Sequence, residues 1–390
     1  MSASYQAKTI NDWEDYEMNP KILRGIYGFG YEKPSPIQSR AIQPMIDGHD
    51  LIAQAQSGTG KTGAFSIGTL NVVDPTVNEI QALILSPTRE LSRQSHDVIS
   101  KIGSFLKGLK TQLLVGGTST SDDIDKLKNN TPHIIVGCPG RTFDMIKRGH
   151  LNTSKIRVFV LDEADEMLSS GFMEQIYNIF QYLSTTTKVA LFSATIPSDI
   201  EELTTKFMND PVKILVKSEM LTLEGIEQYY VALESDGDKF STIKDLYASI
   251  TSSQCIVYCN SVKRVEDLYE ALVEDGFTVS RIHSSMTKEE REQAYNDFKS
   301  GKNRILISSN VTARGIDIQQ VSTVINFDVP KCVHTYLHRI GRSGRHGRTG
   351  TAINLVTLND VRKIYDIEKY YAIKIPDLPS DLSKVFANNN

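Results

Sequence analysis

The sequence predicts an α/β protein of two tandem domains, each a parallel sheet covered by helices on both faces. Three observations predict it. Short, apolar, β-rich runs recur along the chain, each followed by a longer segment of helical character. Near-continuous apolar strands alternating with helices belong to sheets buried on both sides. The alternation pauses once, between Asp210 and Gln228, in "DPVKILVKSEMLTLEGIEQ". At 390 residues the chain also exceeds what a single core ordinarily fills. Domains are therefore expected at 1–215 and 228–390, joined by a linker at 216–227.

In the first half the strand-like runs are "DLIAQ" (Asp50–Gln54), "ALIL" (Ala82–Leu85), "HIIVG" (His133–Gly137), "VFVLD" (Val158–Asp162) and "VALFS" (Val189–Ser193). In the second they are "CIVYC" (Cys255–Cys259), "RILIS" (Arg304–Ser308), "TVINF" (Thr323–Phe327) and "TAINLV" (Thr351–Val356). Composition is that of a globular protein, 40% hydrophobic and 23% charged. No run approaches the ~18 apolar residues of a membrane span. The acidic start "MSASYQAKTINDWEDYE" lacks the pattern of a secretory signal. Four cysteines do not make a disulfide framework, and Cys255 and Cys259 are expected in a strand core rather than on a metal. A reducing, intracellular setting is expected. The net charge of −4 excludes a generally basic nucleic-acid-binding surface, so any such site must be a local cleft.

Three segments carry chemistry. In "AQSGTGKT" (Ala55–Thr62) an apolar strand leads into a glycine-rich loop and then a helical run. That context suits phosphate binding by the N–H groups of Ser57, Gly58, Thr59 and Gly60, with Lys61 on the β- and γ-phosphates and Thr62 on Mg²⁺. The strict pattern has glycine where Ala55 stands. "VFVLDEADEML" ends a strand in carboxylates: Asp162 is placed to help hold Mg²⁺, and Glu163 to orient or deprotonate an attacking water. The alternative for the acidic run is a solvated helix start. In "YLHRIGRSGRHGR" four arginines, Arg339, Arg342, Arg345 and Arg348, recur at spacing three. They are arginine fingers for a γ-phosphate or, more blandly, a basic patch for phosphates of any kind.

In order along the chain, "AQSGTGKT", "PTREL" (Pro87–Leu91), Gly116–Gly117, "PGR" (Pro139–Arg141), "DEAD" (Asp162–Asp165), "SAT" (Ser193–Thr195), "ARGID" (Ala313–Asp317) and "HRIGRSGR" (His338–Arg345) resemble the motifs of the DEAD-box RNA helicases. Finer wording, such as "DEMLSSGFMEQIYNIF" and "IDIQQVSTVINFD", is similar to the eukaryotic translation initiation factor 4A group and its splicing-linked relatives. The resemblance implies two RecA-like domains, ATP with Mg²⁺, and RNA held through its backbone. It implies that Gln38 meets the adenine edge, that Tyr31 stacks on the ring, and that Trp13 stands where the family has an upstream aromatic. It places Gly315 and Asp317 on the nucleotide from the second domain, makes Arg342 and Arg345 the fingers, and assigns Ser193, Thr195 and His338 to coupling between domains. RNA contacts fall on Pro87, Thr88, Arg89, Gly117, Gly140 and Arg141, and on Asn260, Ser261 and Ser309.

The expected activity is RNA-stimulated ATP hydrolysis that closes and opens a cleft and unwinds short duplexes, in translation initiation. An ATP-dependent RNA clamp in mRNA processing would carry the same motifs; a switch acting on protein alone and a DNA duplex substrate fit them poorly. The resemblance further implies a monomer, cytoplasmic or nuclear, positioned by a helical-repeat scaffold. The chain departs from the family at Cys138 (threonine before "PGR"), Ser92 (alanine after "PTREL"), Ser284 (glycine in "HG-x-M") and Asn310, which makes "SSN" of "STD". These departures predict intact ATP chemistry and an altered RNA grip.

Overall fold

The computed structural model describes residues 9–55, 59–169, 171–196, 198–215, 226–249, 254–310, 321–341, 343, 350–382 and 385. The chain forms two compact units, Met1–Lys217 and Ser218–Asn390. The sequence-based linker lies almost wholly outside the described residues; its last two, Ile226 and Glu227, already begin a strand.

The first unit holds a seven-stranded sheet. Its strands are β1 (Leu51–Gln54), β2 (Ala82–Leu85), β3 (Thr111–Leu114), β4 (Ile134–Gly137), β5 (Val158–Asp162), β6 (Lys188–Ser193) and β7 (Val212–Leu215). The order is β3-β4-β2-β5-β6-β1-β7, and every described pairing is parallel. Alternate strand residues enter two different cores: Ala53, Ile84, Val136 and Val160 pack on one face, and Ile52, Leu83, Ile135 and Phe159 on the other. Both faces are covered, which is why these strands read as unbroken apolar runs.

The second unit repeats the plan with β8 (Ile226–Ala232), β9 (Gln254–Tyr258), β10 (Val279–Ile282), β11 (Ile305–Ser308), β12 (Val321–Asn326) and β13 (Gly350–Val356). The order is β10-β11-β9-β12-β13-β8, again parallel. Cys255 and Cys259 are free thiols buried in one core cluster, and burial pushes both thiols far above the ordinary range. They are core residues.

Four strands are announced by no apolar run: β3, β7, β8 and β10. They are the four sheet edges. The expected pause at Asp210–Gln228 contains β7 and the start of β8. An edge strand is partly wetted, so its sequence alternates instead of running apolar; β3 alternates between partly exposed and buried residues, and β8 is mostly half-exposed.

Candidate nucleotide and RNA site

Parallel sheets present their functional loops at the carboxyl ends of the strands. In the first unit the carboxyl ends of β1, β5 and β6 bring together the phosphate loop, "DEAD" and "SAT". The Ala55 N–H donates to the Ser193 carbonyl at 3.0 Å, and Gln54 Nε2 donates to the Ala194 carbonyl at 3.2 Å. Gln56, Ser57 and Gly58 lie outside the described residues. Gly60, at φ +101°, makes the left-handed turn that opens the helix Lys61–Val72. Lys61 is buried at the first position of that helix, and its Nζ lies 3.0 Å from Glu163 Oε1.

Glu163 itself has φ +51°. A left-handed, non-glycine residue costs on the order of 1 kcal/mol or more, and such strain concentrates at functional sites. Here it turns the chain from β5 into the helix Ala164–Ser169 and sets the carboxylate against Lys61. Asp162, Glu163, Asp165 and Glu166 are all buried, so the acidic run is not a solvated helix start. Burial, and then the neighbouring Glu163 charge, raises the Asp162 carboxyl well above its ordinary value. Asp162 feels the charges of Glu163, Lys61 and Asp165 together, and Glu163 Oε2 and Lys61 Nζ have no well-formed hydrogen bond among the described residues. The donor set is hard oxygen, which suits a divalent cation carrying phosphates.

"SAT" is tied to "DEAD" through Asp165. The Asp165 N–H donates to Ser193 Oγ at 3.2 Å, and Thr195 Oγ1 donates to Asp165 Oδ2 at 2.7 Å.

The segment expected to recognise adenine, with Tyr31 and Gln38, sits against the same loop. Gln38 opens the helix Gln38–Ile46; its Oε1 accepts from the Ser35 N–H at 2.8 Å and its Nε2 donates to the Gly60 carbonyl at 3.2 Å. A Cβ on Gly63 would lie 2.5 Å from Gln38 Nε2 and 2.9 Å from the Tyr31 ring. The fully buried Trp13 stacks on Tyr31 at 6.4 Å and donates from Nε1 to its carbonyl at 3.2 Å. Tyr16, which the sequence did not single out, donates from its hydroxyl to the Gln38 carbonyl at 2.9 Å. Its only signal is a second aromatic three residues after Trp13.

The expected RNA-facing residues of this unit follow β2, β3 and β4. Thr88 caps the helix Arg89–Ile102, its Oγ1 accepting from the Leu91 N–H at 3.2 Å. Arg89 lies over the glycine pair: a Cβ on Gly117 would be 2.6 Å from its guanidinium. Pro139 and Gly140 open the helix Pro139–Lys147. Arg141 is already engaged, paired with Asp123 at 2.5 Å and donating to the Thr118 carbonyl at 3.0 Å. Cys138 Sγ lies 3.4 Å from Ser92 Oγ, so two of the departures from the family touch each other.

In the second unit Asn260 and Ser261 follow β9, and Ser309 follows β11. Ser261 caps the helix Val262–Glu274, and the Asn260 N–H donates to Asp328 Oδ2 at 3.0 Å. Ser309 Oγ is buried with no partner among the described residues. His338 is buried on the helix Val333–Ile340. Gly315, Asp317, Arg342, Arg345 and Arg348 lie outside the described residues. Arg339, which the spacing grouped with the candidate fingers or basic patch, is fully buried.

Residues 35–203 match the family described as DEAD/DEAH box helicase, and residues 238–347 match the helicase conserved C-terminal domain. The chain is 52% identical over 378 residues to the ATP-dependent RNA helicase eIF4A of Lodderomyces elongisporus, covering 97% of this chain and 95% of that one. The chain belongs to the DEAD-box ATP-dependent RNA helicases, in the eIF4A-like branch. The corresponding eIF4A of Neurospora crassa is 50% identical over 376 residues, covering 96% of this chain and 94% of that protein. Among solved structures, S. cerevisiae Dbp5 bound to RNA and ADP BeF3 superposes with a TM-score of 0.88 at 35% identity, over 96% of this helicase and 97% of that chain. A DEAD box protein from the hyperthermophile Methanococcus jannaschii gives a TM-score of 0.55 at 35% identity, over 95% and 99%. No helix among the described residues of this helicase is long and apolar enough to cross a membrane.

Proposed function

We propose that this DEAD-box helicase uses RNA-stimulated ATP hydrolysis to close and reopen the cleft between its two domains, separating short RNA duplexes locally and without regard to sequence. The observation that carries it is the strained Glu163 held against Lys61 at the carboxyl end of β5, with Asp165 tied to Ser193 and Thr195.

Lys61 is placed to leave Glu163 for the β- and γ-phosphates. Glu163 is then free to orient the attacking water and take its proton. Asp162 and Thr62 would hold Mg²⁺, which supplies positive charge to the phosphate oxygens. Gln38, braced between Ser35 and Gly60, reports adenine directly to the phosphate loop. From the second domain Gly315 and Asp317 would meet the nucleotide and Arg342 and Arg345 the γ-phosphate, with His338 coupling the two halves. Hydroxyls, backbone N–H groups and single arginines grip RNA phosphates and 2′-hydroxyls rather than base edges. Dbp5, bound to RNA and a nucleotide analogue together, supports simultaneous occupancy. Opening a few base pairs costs several kcal/mol, at about 1–2 kcal/mol per stacked step, which closure contacts can supply without tracking along the strand.

Similarity to eIF4A proteins over most of the chain supports a cytoplasmic role in translation initiation, as a monomer positioned by a helical-repeat scaffold. The test is phosphate release from ATP with no nucleic acid, with single-stranded RNA, and with the same sequence as DNA. Stimulation by RNA alone is expected. A rate indifferent to RNA would overturn the proposal, and single-turnover hydrolysis with slow RNA release would favour the clamp.

A further inference from the structure

Arg339 is a buried cation with no carboxylate in contact with its guanidinium among the described residues. Its side chain is fully buried, and each described acceptor around its guanidinium is neutral. Nε and NH2 donate to Asn310 Oδ1 at 3.0 and 2.7 Å, and NH2 also donates to Asn260 Oδ1 at 2.8 Å. NH1 donates to Asn326 Oδ1 at 3.1 Å and to the Asp328 carbonyl at 2.7 Å. The Asp328 carboxylate is turned elsewhere, to Arg264 at 2.9 Å and the Asn260 N–H at 3.0 Å. Among the described residues no carboxylate oxygen lies within 4.0 Å of the Arg339 guanidinium. Burial pulls the guanidinium down to about 10, which still leaves it charged at neutral pH.

Position 310 is where the family pattern "STD" carries a carboxylate and this chain carries an amide. Asn310 is exposed, yet its Oδ1 faces Arg339, so it stands between the buried charge and the surface. Beside it is Ser309, whose buried hydroxyl lacks a described partner; across Arg339 is Asn260. A charge left uncompensated in a medium of low polarity is felt further than one paired in place.

We propose that Asn310 sets the strength of the RNA grip: by leaving Arg339 without a carboxylate in direct contact, it lends positive potential to the phosphate contacts at Asn260 and Ser309, at a cost to the stability of the second unit. The inference rests on the proposed role of those residues in RNA binding. An aspartate at 310 is nearly isosteric and would turn two existing hydrogen bonds into an ion pair. It therefore separates charge from shape.

The experiment is Asn310→Asp in the full chain, with equilibrium binding of a single-stranded oligouridine RNA beside a non-hydrolysable ATP analogue, at low and high salt, and thermal unfolding in parallel. The variant is expected to bind about fivefold more weakly at low salt, with the gap closing as salt rises. It is also expected to unfold about 2–4 °C later. Equal or tighter binding at low salt would overturn the proposal, as would a salt-independent loss or a variant that is less stable or fails to fold. If the unsubstituted protein does not bind RNA, the proposed function falls as well. If it binds and the variant binds equally, only this inference falls.

Discussion

In the proposed mechanism turnover depends on Glu163, whose left-handed backbone holds the carboxylate at Lys61 and leaves Oε2 without a hydrogen-bond partner among the described residues. Glu163→Gln keeps the shape and removes the proposed base. It is expected to lower RNA-stimulated turnover by about 10²–10⁴-fold while ATP still binds, read by phosphate release beside nucleotide titration. Gly63 is the second such point. Gly63→Ala would drive a methyl into Gln38 and Tyr31, the nearest atom at 2.5 Å. We expect nucleotide Kd to rise about tenfold in a protein that still folds, since the clash falls on side chains rather than backbone. Cys138 stands at the N-cap of the helix Pro139–Lys147, where its side chain makes no capping hydrogen bond and its Sγ lies against Ser92 Oγ instead. Cys138→Thr is expected to stabilise the protein by about 0.5–1 kcal/mol in urea unfolding and to tighten RNA binding. Unchanged affinity would mean that the departure at this position leaves the RNA grip untouched.

Among the elements, β4 and its approach carry a pH dependence that the motifs do not suggest. His133 precedes β4, is buried, and accepts the Lys110 N–H on Nδ1 at 2.9 Å. Burial first, and the Lys110 charge second, lower its pKa below the ordinary histidine value. Below about pH 6.5 the unfolded chain therefore takes up a proton that the folded chain refuses. The stability contributed is complete above that pH and is lost as pH falls toward the lowered folded value. His96, also lowered chiefly by burial, adds in the same direction. The urea midpoint is expected to fall between pH 7 and 5, and His133→Gln should flatten that slope. On the other unit the helix Lys288–Lys299 starts with a reciprocal cap between Thr287 and Glu290. Edge strands were illegible for a related reason: a strand or helix with one wet side follows its neighbours rather than an apolar run.

Taken whole, this helicase is acidic, with a formal charge of −4, and must hold a polyanion through few cations. Arg141 contributes little free charge because Asp123 already neutralises it. The dependence of RNA affinity on salt is therefore expected to be shallow, with a log–log slope no steeper than about −3, where each neutralised phosphate of a single strand adds about −0.7. A steep slope would require a basic surface that neither the composition nor the described residues supply.

The sequence by itself determined the alternation of strand and helix, the division into two domains and the order of the motifs, because periodicity and turn chemistry are local and survive without neighbours. Lys61 and Glu163 were legible for that reason, while Ser193 and Thr195 were legible only through the order of the motifs. Tertiary structure alone decided which groups are already spent. Gln38 is braced on Gly60, Arg141 is neutralised by Asp123, Cys138 meets Ser92, and Arg339 is fully buried with only neutral acceptors hydrogen-bonded to it among the described residues. Partnership and burial are set by residues tens to more than a hundred positions away, and no spacing within a motif records them.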